Sequence, residues 1–112
     1  MGPETRITLL GGGSWGTALA KLFLNNISRL QWFIRSKEDI LFIEKYQHNP
    51  KYLTSIKLDT TKISFFSDIC KAIESSDLIV VAIPAPFLEE SLMKCLNMFD
   101  EKFIVSAVKG IV

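Results

Sequence analysis

Residues 6–23 read RITLLGGGSWGTALAKLF, which is a short apolar run, three consecutive glycines and a second apolar run. The first run is β-prone and stops at the glycines, which predicts a buried strand over 6–10 that ends in a tight turn. In the second run, apolar residues recur at i, i+3, i+4, i+7 and i+8, the spacing of a helical stripe. The members of this stripe are Trp15, Ala18, Leu19, Leu22 and Phe23. The pattern predicts a strand, a glycine turn and a helix that ends near Asn25, in direct succession.

The rest of the chain alternates strand-like and helix-like segments. The predicted strands are 30–34, 63–66, 78–83 and 103–108, and the predicted helices are 36–46, 67–75 and 86–99. Ser36 and Ser67 are the expected N-caps of the first two of these helices. The longest irregular segment, 47–61, is predicted to be an excursion on the surface. Strands that alternate with helices imply right-handed crossovers, so we expect an α/β fold with a doubly wound parallel sheet of strand order 3-2-1-4-5.

Composition limits the classes of partner. The 112 residues suffice for one domain, and 48% hydrophobic with 22% charged residues is typical of a folded protein. The formal net charge is +1, and no basic run exceeds a pair, so neither nucleic acid nor a membrane surface is an expected partner. No apolar run approaches membrane-spanning length, and no secretory signal is apparent. Two cysteines without C-x-x-C spacing suggest reduced thiols and a cytoplasmic protein.

The glycines between the first strand and the first helix form the pattern G-x-G-x-x-G. Gly11 would permit the tight turn, Gly13 would let the backbone approach a pyrophosphate, and Gly16 would allow close packing of helix on strand. The helix N-terminus presents N–H groups and the positive end of its dipole to phosphates. We therefore predict a dinucleotide-binding domain of the Rossmann type. The alternative is a glycine-rich turn without a ligand.

Arg35 follows the second predicted strand, about 20 residues beyond the glycines, where an NAD-type site usually carries an acidic residue. A guanidinium can pair with a 2′-phosphate in bidentate fashion and can stack on adenine. This favours NADP(H) as the cofactor, and stacking would also tolerate NAD(H). Ser36 and Lys37 are weaker candidates for the same phosphate. The alternative is a solvated arginine at the end of a strand.

Two other kinds of chemistry are poorly supported. His48 is the only histidine, and it lies beside Asn49-Pro50 with no nucleophile elbow nearby, so a serine–histidine–acid triad is not expected. One histidine and two distant cysteines cannot supply a zinc site unaided. We predict no metal.

Residues 11–20, GGGSWGTALA, resemble the opening motif of bacterial NAD(P)-dependent glycerol-3-phosphate dehydrogenases. Four further segments agree with that family in order and spacing, so the resemblance covers nearly the whole chain. They are Trp32 to Arg35, Asn49 with Tyr52-Leu53, Val81 to Pro84, and Lys109-Gly110-Ile111. The resemblance implies reduction of dihydroxyacetone phosphate to sn-glycerol 3-phosphate, which feeds phospholipid synthesis.

The resemblance also implies roles for single residues. Ser14 and Trp15 would line the cofactor near its phosphates, and Arg35 would meet the adenosine ribose. Tyr52 and Pro84 are further cofactor-binding candidates. Lys109 would touch both the cofactor and a small phosphorylated substrate, and it follows the fifth predicted strand at the edge where doubly wound folds bind ligands.

In this family the general acid/base lysine and most substrate contacts come from a helical C-terminal domain, which these 112 residues lack. The resemblance thus implies that residues 1–112 are the NAD(P)-binding domain of a larger two-domain enzyme. That domain would contain no catalytic residue and would bind cofactor without appreciable turnover.

Two alternatives stay open at this point. One is another two-domain reductase of the ketopantoate or sugar-nucleotide type, against which Ser14-Trp15 and Lys109-Gly110 argue. The other is a non-catalytic module that senses NAD(P). If the domain exposes an apolar patch, self-association, for example as a homodimer, is also expected.

Overall fold

The computed structural model of the chain describes residues 5–83, 93, 95 and 102–106. The described residues form one sheet of five parallel strands in the order β3-β2-β1-β4-β5, which confirms the predicted arrangement. The strands are β1 Ile7–Leu10, β2 Leu30–Phe33, β3 Ile63–Phe66, β4 Leu78–Val81 and β5 Phe103–Ser106. The helices bounded within the described residues are α1 Ser14–Leu24, α2 Lys37–Tyr46 and α3 Ile69–Glu74, and a 3-10 turn lies at Thr60–Lys62.

The sheet is apolar on both faces. Successive side chains of a strand point to opposite faces, and successive residues of these strands are mostly apolar. Leu9, Trp32 and Val80 belong to the core on one face. Leu10 and Phe33 belong to the core on the other. Burial of both faces explains why the predicted strands showed little alternation of polar and apolar residues.

The face of α1 that contacts the sheet differs from the predicted stripe. Trp15 and Leu22 are 50% and 58% exposed. Leu19 and Phe23 of the predicted stripe do pack against the core, but the fully buried residues of the helix are Gly16, Thr17, Ala20 and Leu24. Three of these are small, because the start of α1 lies so close to the glycine turn that only small side chains fit between them. Periodicity predicted the helix correctly. The closest contact between α1 and the glycine turn, however, is made at Gly16 and not at a large apolar residue.

Several predicted boundaries shift by one or two residues. In β4 the ladder ends at Val81, two residues before the predicted end, although Ala82 and Ile83 remain buried. Ser36 caps α2 as predicted, since its hydroxyl oxygen accepts the N–H of Asp39 at 3.2 Å. The predicted cap Ser67 is wrong, because the carboxylate of Asp68 accepts the N–H groups that open α3. Most of the predicted helix 86–99, and residues 107–108 of the fifth strand, lie outside the described residues.

The segment between α2 and β3 lies at the surface over most of its length, as predicted, but it is also anchored in the core at two residues, which the prediction did not include. Leu58 is fully buried, and its N–H donates to the carbonyl oxygen of Gln47 at 2.8 Å. Asn49 is also buried. Two internal anchors hold this long loop against the sheet and α1, and the short 3-10 turn at its end leads directly into β3.

The edge strand β5 carries apolar side chains that are exposed on both faces. They are Phe103, Ile104 and Val105. This is an apolar patch of the kind that would favour self-association. A homodimer stays a prediction.

Candidate functional site

The glycine turn lies where the carboxyl ends of β1, β2 and β4 meet. Gly11 has φ +123°, and a Cβ there would lie 2.7 Å from the carbonyl oxygen of Ala82. A Cβ on Gly16 would lie 2.1 Å from the carbonyl oxygen of Gly11. A Cβ on Gly13 would meet no atom of the described residues within 4 Å. The first and third glycines are therefore required by the fold, and the second borders a space that residues 5–83 and the other described residues leave open.

Side chains hold the carbonyl groups of the turn. The indole Nε1 of Trp32 donates to the carbonyl oxygen of Gly11 at 2.7 Å. The amide Nδ2 of Asn49 donates to that of Gly12 at 3.0 Å. The hydroxyl of Thr17 donates to that of Gly13 at 2.8 Å, and so does the backbone N–H of Thr17 at 2.9 Å. All three glycine carbonyls are thus engaged by the protein.

The start of α1 has the properties of an anion site. An α-helix leaves its first N–H groups without partners inside the helix, and its dipole is positive at this end. Gly13 is the N-cap and brings no side chain that would cap the helix. The first turn contains no acidic residue. A phosphate could therefore accept hydrogen bonds here without competition from a capping side chain.

An open cavity of about 1080 Å³ lies at this edge of the sheet. Its walls come from the glycine turn, the ends of β2, β3 and β4, and the loop after α2. The lining residues are Gly11, Gly12, Gly13, Ser14, Trp15, Phe33, Arg35, Lys37, Tyr52, Ser67, Asp68, Ile69, Cys70, Lys71, Ala82 and Ile83.

The cavity unites most of the predicted site residues. Gly11, Gly13, Ser14, Trp15, Arg35 and Tyr52 all line it. Gly16 does not, because it lies behind the turn as a packing residue. Pro84 and Lys109 lie outside the described residues.

Sequence reasoning missed one wall of the cavity, 67–71, which follows β3. β3 pairs in parallel with β2, so the residues after both strands emerge at the same edge of the sheet. Because ligands of doubly wound folds bind at the carboxyl edge of the sheet, the position of 67–71 after β3 could have predicted that these residues line the site. The wall adds a third lining cation, Lys71, to Arg35 and Lys37, and one carboxylate, that of Asp68, which accepts the N–H groups of Cys70 and Lys71. Cations outnumber carboxylates in this part of the cavity.

The part of the chain that the structure describes contains no cluster of three histidine, cysteine or acidic side chains suited to a metal ion. None of its helices has both the length and the apolar composition needed to cross a bilayer.

The two thiols differ in environment. Cys70 lines the cavity, whereas Cys95 is buried in the core that contains Leu10 and Phe33. Neither cysteine forms a disulfide. Burial, with a smaller contribution from the neighbouring Cys70, raises the pKa of the Cys95 thiol to about 12.

We expect a thiol reagent at pH 8 to modify Cys70 about a hundredfold faster than Cys95, because the thiolate is the reactive form and the Cys95 thiol is buried with a raised pKa. The rate at Cys95 should rise when pH approaches 12 or when the chain unfolds. The measurement is the time course of the reaction with a chromogenic disulfide. The Cys95→Ser variant reports the rate at Cys70, and the Cys70→Ser variant reports the rate at Cys95. Equal rates for the two variants would contradict this account of Cys95.

The sequence of the chain is similar to the N-terminal part of known dehydrogenases. A family model described as "NAD-dependent glycerol-3-phosphate dehydrogenase N-terminus" matches residues 6–112. The glycerol-3-phosphate dehydrogenase (NAD(P)+) of Ectopseudomonas mendocina is 36% identical over 105 residues, covering 94% of this chain and 31% of that protein. The corresponding protein of Pseudomonas syringae pv. tomato is 34% identical over 111 residues, covering 99% and 32%.

Structural comparison agrees with the sequence comparison. The glycerol-3-phosphate dehydrogenase of Saccharomyces cerevisiae matches with a TM-score of 0.84 at 25% identity, covering 95% of this chain and 34% of that one. The chain thus spans about a third of the length of these relatives. The strand order, the glycine turn and the family match all agree, and the chain belongs to the family of NAD-dependent glycerol-3-phosphate dehydrogenase N-terminal domains.

Proposed function

We propose that the glycine turn and the start of α1 bind the pyrophosphate of NADP(H) or NAD(H), with NADP(H) favoured. The observation that carries this proposal is the anchoring of all three glycine carbonyls by Trp32, Asn49 and Thr17. With the acceptors held by the protein, the polar groups left for a ligand at the turn are N–H donors, which suit a phosphate. The space beside Gly13 gives that phosphate room.

The other cavity residues have proposed roles that follow from their positions. Ser14 and Trp15 lie at the start of α1, beside the proposed phosphate position. Arg35, assisted by Lys37, binds the adenosine 2′-phosphate at the end of β2. Tyr52 contacts the cofactor from the opposite wall. Pro84 and Lys109 stay proposed as further contacts, and Lys109 also as a contact to the phosphorylated substrate.

The proposed reaction of the whole enzyme is the reduction of dihydroxyacetone phosphate to sn-glycerol 3-phosphate for phospholipid synthesis in the cytoplasm. The cofactor supplies a hydride when bound. The proposed contribution of this chain is to bind and orient it. Because the chain spans about a third of its relatives, we propose that the general acid/base and most substrate contacts come from the remainder of the enzyme. The 112 residues alone are expected to be inactive.

Titration with NADPH and NADH tests the cofactor proposal, with tryptophan emission as the signal because Trp15 lines the cavity. We expect saturable binding of both and tighter binding of NADPH. Arg35→Gln should weaken NADPH binding about tenfold and NADH binding much less, since it removes one charge-assisted contact to the 2′-phosphate.

Lys45→Gln is the matched control, because it removes one positive charge at the far end of α2. It should change the affinity for NADPH and for NADH by no more than about twofold, because salt screens the electrostatic effect of a distant exposed charge. Failure of both dinucleotides to bind at millimolar concentration would contradict the proposed function. Equal losses for the two cofactors would contradict the role given to Arg35.

A further inference from the structure

The side chain of Asn49 is only 1% exposed, yet its hydrogen-bonding capacity is fully used. A primary amide has two N–H donors and an oxygen with two lone pairs. Nδ2 donates to the carbonyl oxygen of Gly12 and to the hydroxyl of Thr17, both at 3.0 Å. Oδ1 accepts the backbone N–H groups of Lys51 at 2.9 Å and of Tyr52 at 3.2 Å. A buried polar group with four partners is a strong local constraint.

These four bonds join two walls of the cavity that are far apart in sequence. On one side they hold the glycine turn and the first turn of α1. On the other side they hold the backbone that carries Tyr52 into the cavity lining. The loop has a separate apolar anchor in Leu58, so its attachment to the core does not depend on Asn49 alone.

We infer that Asn49 is a positioning residue for dinucleotide binding, which rests on the proposed function of the glycine turn. Its amide draws the Gly12 carbonyl toward the protein, so the N–H groups that follow are presented to the pyrophosphate. It also sets the distance between the turn and Tyr52. Asparagine fits this task because an aspartate has no donors for Gly12 and Thr17, and a serine cannot serve four partners.

The test compares two ligands on two asparagine variants. NADPH carries a pyrophosphate, whereas 2′-AMP carries the adenosine 2′-phosphate without one. In Asn49→Ala we expect the dissociation constant of NADPH to rise about tenfold and that of 2′-AMP by less than about twofold. Asn26→Ala is the matched control, because Nδ2 of the exposed Asn26 also donates to a carbonyl, that of Leu22, at the other end of α1. It should change neither constant.

A variant that had merely lost stability would bind both ligands less well, so equal losses would overturn the inference, as would unchanged NADPH affinity. Amide hydrogen exchange at Gly12, Gly13 and Ser14 supplies a readout without ligand. Exchange should be faster in Asn49→Ala than in Asn26→Ala, and equal rates would overturn the inference.

If the unmodified chain bound no NADPH, the proposed function would fail, and the exchange comparison would decide the role of Asn49 by itself. Should Asn49→Ala not fold, Thr17→Val removes one partner of the amide at nearly constant size. Because the Thr17 hydroxyl also donates to the carbonyl oxygen of Gly13, the deciding measurement in this variant is amide exchange at Gly12, which should be faster than in Asn26→Ala, and an unchanged rate would overturn the inference.

Discussion

Gly16→Ala should lower the free energy of unfolding by about 3 kcal/mol, the upper end of the usual cost of overpacking. The added methyl would lie 2.1 Å from the carbonyl oxygen of Gly11, which is backbone and cannot rotate away. Alanine is the better helix former by about 1 kcal/mol, so propensity alone predicts the opposite sign. The steric term should win because relieving the contact requires α1 to move away from the sheet and lose part of its core packing. Urea unfolding followed by circular dichroism measures the change.

Gly13→Ala is the control for that variant. Its methyl would meet no atom within 4 Å in the part of the chain that the structure describes, and the residue has φ −76° and ψ −168°, a conformation open to any amino acid. The free energy of unfolding should change by less than about 0.5 kcal/mol. If Gly16→Ala were as stable as Gly13→Ala, the close approach of α1 to the glycine turn would be wrong.

Gly13→Asp should weaken NADPH binding about a hundredfold, equivalent to about 2.7 kcal/mol, without unfolding the chain. A carboxylate there would stand at the N-cap of α1 and repel the pyrophosphate, and two unit charges 4 Å apart near a protein surface interact by about 4 kcal/mol. For the fold the same change is favourable, because aspartate caps helices and suits the positive end of the dipole. Thermal unfolding should show unchanged or slightly raised stability, and the NADPH titration should show the loss.

Gly13→Asn separates charge from size, because asparagine has nearly the shape of aspartate and also caps helices well. Much of the affinity should return with asparagine if repulsion is the cause. Equal losses for the two variants would mean that the side chain simply fills the space. Unimpaired binding by Gly13→Asp would place the pyrophosphate elsewhere.

The strands, helices and glycine turn could be predicted because they depend on local patterns, and the strand order followed from the rule for crossovers between parallel strands. An apolar run, three glycines and a helical period sit next to one another in residues 6–23. The buried face of α1 could be predicted only in part this way, because Leu19 and Phe23 pack against the core while Trp15 and Leu22 are exposed. It depends on how closely the helix approaches the turn, and that distance is set by Gly16 rather than by the large apolar residues that dominate a periodicity count.

The candidate site was predicted only in part, because some of its residues belong to local motifs and others act through long-range contacts. Gly11, Arg35 and Tyr52 follow recognisable motifs, and the structure brings them to one cavity. The roles of Trp32 and Asn49 as donors to the turn are long-range contacts, 21 and 37 residues from their acceptors, and no local pattern encodes them. The wall at 67–71 was missed because it follows a strand rather than belonging to a motif.

The central position of β1 has a consequence for the order in which the sheet can assemble during synthesis. β1 pairs with β2 on one side and with β4 on the other, at sequence separations of 23 and 71 residues for Leu10 opposite Phe33 and Val81. On a ribosome, the half-sheet of β1, β2 and β3 is complete once Phe66 has emerged, while the other edge of β1 still lacks its partner. Until β4 follows, a nascent chain would expose this edge, and an unpaired edge is where strands of other chains add. The short spacing between β3 and β4 keeps that interval brief.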